Sequence, residues 1–321
     1  MYKMGIDIGG TKCAVVLGEI NGGDVKFIDT SFFFTIKDNT YTTTLEKIDL
    51  EMREMIRRAD LEAGDISSIG ISCGGPLDPK KGVIMSPPHL IGWDEVHITE
   101  YFENRYKIQT ILENDANACA LAEWKFGAGK GKNLGNLIFL TFGTGFGGGL
   151  ILDGKLYSGT NGMAGEIGHI RGDKFGPVGY GKAGSFDGFC SGDGIVQIAK
   201  TKLLEVFQTG QKASFCQTPE DMDNLTAKEI ARAANDGDTL ALEIYRTSGE
   251  YLGYALSILI DLLNPEMIII GSIYRRAENL LSPPCEQILK KEALKHSLAV
   301  CEVVPAALGD DIGLYAALAL E

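Results

Sequence analysis

Asn136-Leu137-Ile138-Phe139-Leu140-Thr141-Phe142-Gly143-Thr144-Gly145-Phe146-Gly147-Gly148-Gly149-Leu150-Ile151-Leu152 is the stretch whose reading decides the fold. Residues 136–142 form an apolar run of strand length, which breaks at Gly143-Thr144-Gly145 and resumes through three glycines into residues 150–152. The turn also satisfies G-x-G-x-x-G at Gly143, Gly145 and Gly148. A dinucleotide-binding unit would place a helix directly afterwards. Here a strand follows and runs into the hairpin turn Asp153-Gly154, so that reading fails. Nor is there a Walker-type lysine, because Gly129-Lys130-Gly131-Lys132-Asn133 has neither the spacing nor the hydroxyl. What remains is a strand-turn-strand unit whose glycines and threonine let backbone N–H groups and a hydroxyl approach a phosphate.

The same unit occurs near the start of the chain. Residues 4–8 make a short apolar strand that breaks at Gly9-Gly10-Thr11-Lys12 and resumes over residues 13–17. Two copies of strand, Gly/Thr turn and strand, one opening each half, indicate an internal duplication. Asp7 lies in the first strand between Ile6 and Ile8. A carboxylate in such a strand is costly unless it is paired, hydrogen-bonded or close to a cation.

Between the two units stands Glu113-Asn114-Asp115-Ala116-Asn117. It follows an apolar run, 108–112, and precedes residues 118–126, which read as a helix ended by Gly127. An Asn or Asp at such a junction caps the helix by accepting an orphan backbone N–H. Capping accounts for one polar residue, not for several. The carboxyl end of a sheet strand is where an open α/β sheet places its chemistry, and Asp115 is therefore read as a general base.

The remaining elements follow from periodicity and turn residues. A strand is expected over 25–36, a helix over 44–63, and a strand over 66–72 that enters the loop Cys73-Gly74-Gly75-Pro76-Leu77-Asp78-Pro79. The irregular Pro87-Pro88-His89-Leu90-Ile91-Gly92-Trp93 precedes a helix over 98–105. Past the glycine-punctuated Gly162-Met163-Ala164-Gly165-Glu166-Ile167-Gly168-His169, helices are expected over 193–207, 227–234 and 239–263, the last stopped by Asn264-Pro265. A buried strand over 267–270 ends at Gly271-Ser272, and a helix over 285–296, a strand over 298–304 and a helix over 312–320 close the chain.

Composition narrows the function class. The 321 residues leave room for two domains, with 45% apolar and 23% charged residues, as in ordinary globular chains. The net charge of −13, with no basic stripe to be found, argues against a nucleic-acid footprint. The seven cysteines (13, 73, 119, 190, 216, 285 and 301) are scattered and nowhere spaced as C-x-x-C, which fits reduced thiols rather than a disulfide framework. With no signal-peptide pattern at Met1-Tyr2-Lys3-Met4-Gly5 and no apolar run of membrane-spanning length, a cytoplasmic protein without membrane partners is expected.

Two strand-turn-strand units around an Asp-bearing strand end resemble the ASKHA superfamily, the actin-like fold shared with a class of heat-shock chaperones and with sugar kinases. Within it the chain is similar to ROK-family sugar kinases. The motifs run in order through residues 7–12, 75–78, 88–93, 114–117, 143–149, 165–169 and 264–271. The resemblance implies an α/β fold of two ASKHA (ribonuclease H-like) domains with a duplicated β-hairpin phosphate-binding core and an interdomain cleft. It implies a smaller N-terminal domain, residues 1–114 plus 309–321, and a larger one, residues 115–308.

It also implies a glucokinase-type phosphotransferase of carbohydrate metabolism, moving the γ-phosphoryl group of ATP to the 6-hydroxyl of a hexose, glucose first. Other members act on N-acetylmannosamine, allose, mannose or fructose, and some are sugar-sensing regulators. Relatives are often homodimers. In the family's terms Asp115 is the catalytic base. Gly75, His89, Asn114, Glu166, His169 and Asp187 fall at sugar-binding positions. Asp7, Gly9, Gly10, Thr11, Lys12, Gly143, Thr144, Gly145 and Gly271 fall on the ATP side, with Asp7 near Mg²⁺.

Three departures stand out. Many ROK proteins hold a structural zinc with the histidine of the Glu-x-Gly-His motif and three cysteines; here those positions carry Val178, Tyr180 and Ser185, so no structural zinc is expected. Tyr180 and Phe186 are expected to plug the loop instead, with Ser185 bonding the backbone of the glycine turns. Asp187 stands where the family has a glutamate, and His89 where it has an asparagine.

Overall fold

A computed structural model of the chain describes residues 1–35 and 40–321. The chain opens with β1 (Tyr2–Ile8), β2 (Lys12–Asn21) and β3 (Asp24–Phe34), then α1 (Thr42–Arg58) and β4 (Ile66–Cys73). Short strands β5 (Leu77–Asp78), β6 (Val83–Ile84) and β7 (Val96–His97) lead to α2 (Ile98–Tyr106), β8 (Thr110–Asn114) and α3 (Asp115–Lys125). Next come β9 (Leu137–Leu140), β10 (Gly148–Leu152) and β11 (Lys155–Leu156), the small hairpin β12 (Val178–Gly179) and β13 (Lys182–Ala183), and α4 (Phe186–Phe189). Helices α5 (Gly192–Gln208), α6 (Ala227–Asn235) and α7 (Thr239–Leu263) precede β14 (Met267–Ile270). The chain closes with α8 (Ile273–Arg276), α9 (Glu278–Glu292), α10 (Lys295–Leu298), β15 (Glu302–Pro305) and α11 (Ile312–Ala319).

These elements group into two compact units, one of Met1–Gly135, Gly149–Ala164 and Ala307–Glu321, the other of Asn136–Gly148 and Gly165–Ala306. Both expected strand-turn-strand segments are present, as β1 and β2 around residues 9–11 and as β9 and β10 around residues 141–147. The strand expected over 25–36 ends at Phe34, and its last expected residue, Ile36, lies outside the described residues.

In the first unit five strands lie in the order β3-β2-β1-β4-β8, with β4 and β8 parallel to β1. Period-2 alternation gives the sheet two different faces. Met4, Ile6 and Ile8 of β1 join Leu45, Ile48 and Met52 of α1 and Phe102 of α2 in one core. Ala14 and Val16 join Leu314 and Leu318 of α11 in another. Gly5 and Gly70 are register partners, and a Cβ built on Gly70 would lie 2.0 Å from the Ala317 carbonyl oxygen. Glycine there lets α11 lie directly on the strands, which brings Gly313 against Asp7.

The second unit has three parallel strands with β14 between β9 and β15. All four residues of β9 and of β14 are buried, as expected of a parallel sheet covered on both faces. Helix α7 ends where Asn264 adopts φ 44° and donates its N–H to Ile260 O at 2.9 Å.

Two expectations are corrected here. Helix α9 starts at Glu278 and carries Pro283 and Pro284 within it, where a start at 285 was expected. Gly249 of α7 accommodates the prolines, since a Cβ there would meet Pro284 Cγ at 2.5 Å. Leu298, expected to open the last strand, is instead the last residue of α10, and β15 begins at Glu302. The Leu294 N–H bonds Asp261 Oδ1 at 2.9 Å, which holds this stretch against the end of α7. All seven cysteines are free thiols, six of them buried. Among the described residues no helix is long and apolar enough to cross a membrane.

Candidate active site

In the first unit β8 passes into α3 without a loop. Asn114 is the N-cap, its side-chain oxygen accepting the N–H groups of Ala116 at 3.0 Å and Asn117 at 3.4 Å. Asp115 is therefore the first helical residue, where the positive end of the helix dipole favours a carboxylate. Its Oδ1 accepts the Ala116 N–H at 2.8 Å, which orients the group. The loop after β4 lies alongside. A Cβ on Gly74 would sit 3.9 Å from Asp115 Oδ2, and one on Gly75 3.6 Å from Asn114 Nδ2.

Asp7, Ser72 and Glu113 are register partners on β1, β4 and β8, so their side chains share one face of the sheet. Burial pushes the Asp7 carboxyl up from 3.8 to about 6, and the negative charge of Asp115 adds to the rise, while Ser72 and Lys12 oppose it. The Ser72 hydroxyl is buried without a partner of standard hydrogen-bond geometry, yet faces Asp7 closely enough to favour its ionised form. Asp115 is also pushed up by desolvation, against its bonds to Ala116 and Asn114, although water still reaches its side chain. Glu113 is buried; its Oε1 accepts the Asn114 N–H at 2.8 Å and Asn117 Nδ2 at 2.9 Å, bracing the first turn of α3.

The first Gly/Thr turn is held from the end of β3. Thr35 donates its hydroxyl to Gly9 O at 2.6 Å and its N–H to Thr11 O at 2.9 Å, leaving Thr11 and Lys12 exposed. His89 packs on this turn, for a Cβ on Gly10 would meet His89 Cβ at 2.5 Å and its carbonyl oxygen at 2.8 Å. Two neighbouring carboxylates with a single cation, Lys12, affecting Asp7 form a donor set that suits a hard divalent cation such as Mg²⁺.

In the second unit the turn at 141–147 is tied at its base. Thr141 N–H bonds Gly147 O at 2.9 Å, Gly147 N–H bonds Thr141 Oγ1 at 2.9 Å, and Gly143 O accepts the Gly192 N–H at 2.8 Å. Thr144 and Gly145 are left exposed at its tip. Gly148 N–H bonds Gly165 O at 3.0 Å, so the segment with Glu166 and His169 starts on the same turn. Both of those side chains are exposed, and Lys182 Nζ donates to the His169 carbonyl at 2.6 Å. Asp187 accepts the Phe146 N–H at 2.6 Å. Beside Gly143 stands Ser272 with φ 56° and ψ −116°, a conformation otherwise reserved for glycine.

The loop after His169 is held by hydrogen bonds and aromatic packing. Gln197 makes a reciprocal pair with the Val178 backbone, 2.8 Å from its N–H and 2.9 Å to its carbonyl. Ser185 bonds Gly179 O and accepts the Gly188 N–H, and Phe186 is buried. Tyr180 does not form the expected plug: it is 76% exposed at φ 45° and touches only the edge of the His169 ring region, centroids 6.0 Å apart. The left-handed backbone of Tyr180 sits in the β12–β13 turn and points the ring outward. Tyr251 takes the packing role, stacked on Phe189 at 3.5 Å and donating its hydroxyl to Asp173 at 2.6 Å. Among the described residues no group of three or more His, Cys, Asp or Glu side chains is arranged to hold a metal ion.

Residues 3–321 match the ROK family. The chain belongs to the ROK family. It is 32% identical over 318 residues to a glucokinase of Halalkalibacterium halodurans, covering 98% of this chain and 92% of that one. A ROK family glucokinase from Streptomyces griseus, solved in complex with glucose and AMPPNP, superposes with a TM-score of 0.75 at 28% identity, over 99% of this chain and 98% of that one. A ROK family transcriptional regulator homologous to the E. coli MLC protein superposes at 0.84 with 25% identity, over 99% of this chain and 77% of that one. The two-domain ASKHA fold of ROK proteins is thus the fold of this chain.

ROK motifs account for most of the site residues named from the sequence, and the structure adds three that no motif announced. Thr35, Ser72 and Gln197 act through register or backbone bonds, and their residue types carry no signal of it.

Proposed function

We propose that this ROK protein is an ATP-dependent sugar kinase that phosphorylates the primary hydroxyl of a hexose, glucose first. The observation that carries the reading is Asp115: an oriented, water-accessible carboxylate at the start of α3, with the Asn114 amide and the Gly74-Gly75 backbone beside it. A sugar hydroxyl is too weak an acid to attack unaided at neutral pH. A carboxylate raised by desolvation takes its proton more readily, a contribution of typically ~10²–10⁴-fold. Asn114 uses its oxygen for the cap, and its Nδ2, which faces the Asp115 carboxylate, has a second N–H to donate to a neighbouring sugar hydroxyl.

Gly10 and Thr11 in one turn and Thr144 and Gly145 in the other offer N–H groups and hydroxyls suited to the phosphates of ATP, while the Gly9 and Gly143 N–H groups close their turns on Lys12 O and Gly145 O. Glu166 and His169 are assigned to sugar hydroxyls, and Gly75 and His89 fall at sugar-binding positions of the ROK motifs. Asp7 would lie near Mg²⁺, which when bound neutralises charge on the transferring phosphoryl group, and Asp115 stays free to take the proton.

The likeness to the glucokinases supports this reading. The likeness to a regulator supports a second one, a sugar-responsive protein without turnover. A coupled ATPase assay over a panel containing glucose, mannose, allose, fructose and N-acetylmannosamine tests both. Turnover on one sugar sustains the kinase. Tight sugar binding without turnover on any of them favours the regulator.

A further inference from the structure

Asp187 occupies a cradle of backbone from three segments. Its Oδ1 accepts the Phe146 N–H at 2.6 Å, at the end of the second phosphate turn. A Cβ built on Gly145 would lie 3.3 Å from that oxygen, one on Gly179 2.4 Å from Oδ2, and one on Gly168 3.2 Å from Asp187 Cβ. The carboxylate thus meets the phosphate turn, the segment after Glu166 and the β12–β13 hairpin together. Helix α4 presents it there, capped by Ser185, with the Asp187 carbonyl further bonded by Ser191 Oγ at 2.6 Å. The Phe146 carbonyl is seated against Gly168, 1.9 Å from where its Cβ would be, so the peptide groups on both sides of Phe146 are held.

We infer that Asp187 is a positioning residue of the second phosphate turn rather than a ligand of the sugar, an inference that rests on the kinase reading. A charge-assisted bond to a backbone N–H is among the stronger neutral–ionic pairs, and it sets the orientation of the peptide that follows Gly145. With that peptide held, the Thr144 and Gly145 N–H groups stay pointed outward for a nucleotide phosphate. An aspartate reaches the Phe146 N–H from α4.

The test separates nucleotide from sugar. Affinities for AMPPNP and, separately, for glucose are titrated in Asp187→Ala and Asp187→Asn, alongside KM and kcat. Asp187→Ala is expected to weaken AMPPNP and raise KM for ATP about tenfold while glucose affinity without nucleotide stays within about twofold. Asp187→Asn, which keeps an acceptor for the Phe146 N–H, is expected to recover most of that loss. Weakened glucose binding with AMPPNP unchanged, or no change in either, overturns the inference. Should Asp187→Ala not fold, Asp187→Asn decides: a tenfold loss of glucose affinity with AMPPNP retained overturns it. Hydrogen exchange of peptides spanning residues 141–148 reads the inference even where turnover is absent. Faster exchange in Asp187→Ala and near-wild-type exchange in Asp187→Asn sustain it; identical exchange in all three proteins refutes it.

Discussion

The Asp7 carboxyl is raised to about 6 by its own burial and by the charge of Asp115 beside it, so ionising Asp7 sets a second negative charge next to Asp115. Such crowding of carboxylates is the mark of a site built to receive positive charge or a proton.

The sign of the pH dependence follows. Folded Asp7 keeps its proton between about pH 4 and 6, where the unfolded chain has released it, so the stability contributed by Asp7 falls as pH rises through that window. A rise from 3.8 to about 6 corresponds to about 3 kcal/mol once the group is ionised. Asp7→Asn should therefore melt higher than wild type above pH 6 without divalent cations, with the gap closing toward pH 4. Parallel melting curves at pH 4.5 and 7.5 would show that the Asp7 carboxyl is not strained.

Asp115→Asn keeps an oxygen for the Ala116 N–H and changes little in shape. Fold and sugar affinity should be retained while kcat falls at least ~10²-fold, the loss expected for a general base. Near-wild-type turnover would remove Asp115 from that role.

Thr144→Val removes the exposed hydroxyl at the tip of the second phosphate turn. The base of the turn, tied by Thr141, Gly147 and Gly192, should be unaffected. The expected result is a lower kcat/KM for ATP with sugar binding unchanged in the absence of nucleotide. Equal loss of both would make the residue structural.

Ser272 stands at φ 56°, ψ −116°, where a Cβ is strained by roughly 1–3 kcal/mol. Part of that gain is offset by the greater freedom of glycine in the unfolded chain. Ser272→Gly should raise the melting temperature by a few degrees, measured without ligands. A lower melting temperature would mean that the hydroxyl makes a compensating bond.

The loop after His169 should be indifferent to metal. A strong chelator is expected to leave melting temperature and sugar affinity unchanged once Mg²⁺ is restored, and protein prepared without zinc should carry well under one equivalent. Gln197→Ala, by contrast, breaks both bonds to Val178 and should cost about 1–3 kcal/mol. A stoichiometric zinc whose removal unfolds the loop would reverse this account.

The sequence by itself determined the strand-turn-strand duplication, an Asn or Asp cap before α3 (though not its start at Asp115, three residues ahead of the expected one), the stop at Asn264 and the family. Each rests on local chemistry: a glycine-rich turn between apolar runs, a side chain that satisfies its own helix end, a left-handed residue before proline. What lay beyond it were relations between distant segments. Pro283 and Pro284 sit inside a helix because Gly249 of α7 makes room for them, and Tyr251 holds the loop that Tyr180 was expected to plug. The register that aligns Asp7 with Ser72 and Glu113, and the reach of Asp187 to the Phe146 N–H, exist only once strands and loops have packed. Local pattern encodes which element forms. Which carboxylates lose water and which backbone N–H they meet depends on neighbours brought from tens of residues away, and only the tertiary structure decided that.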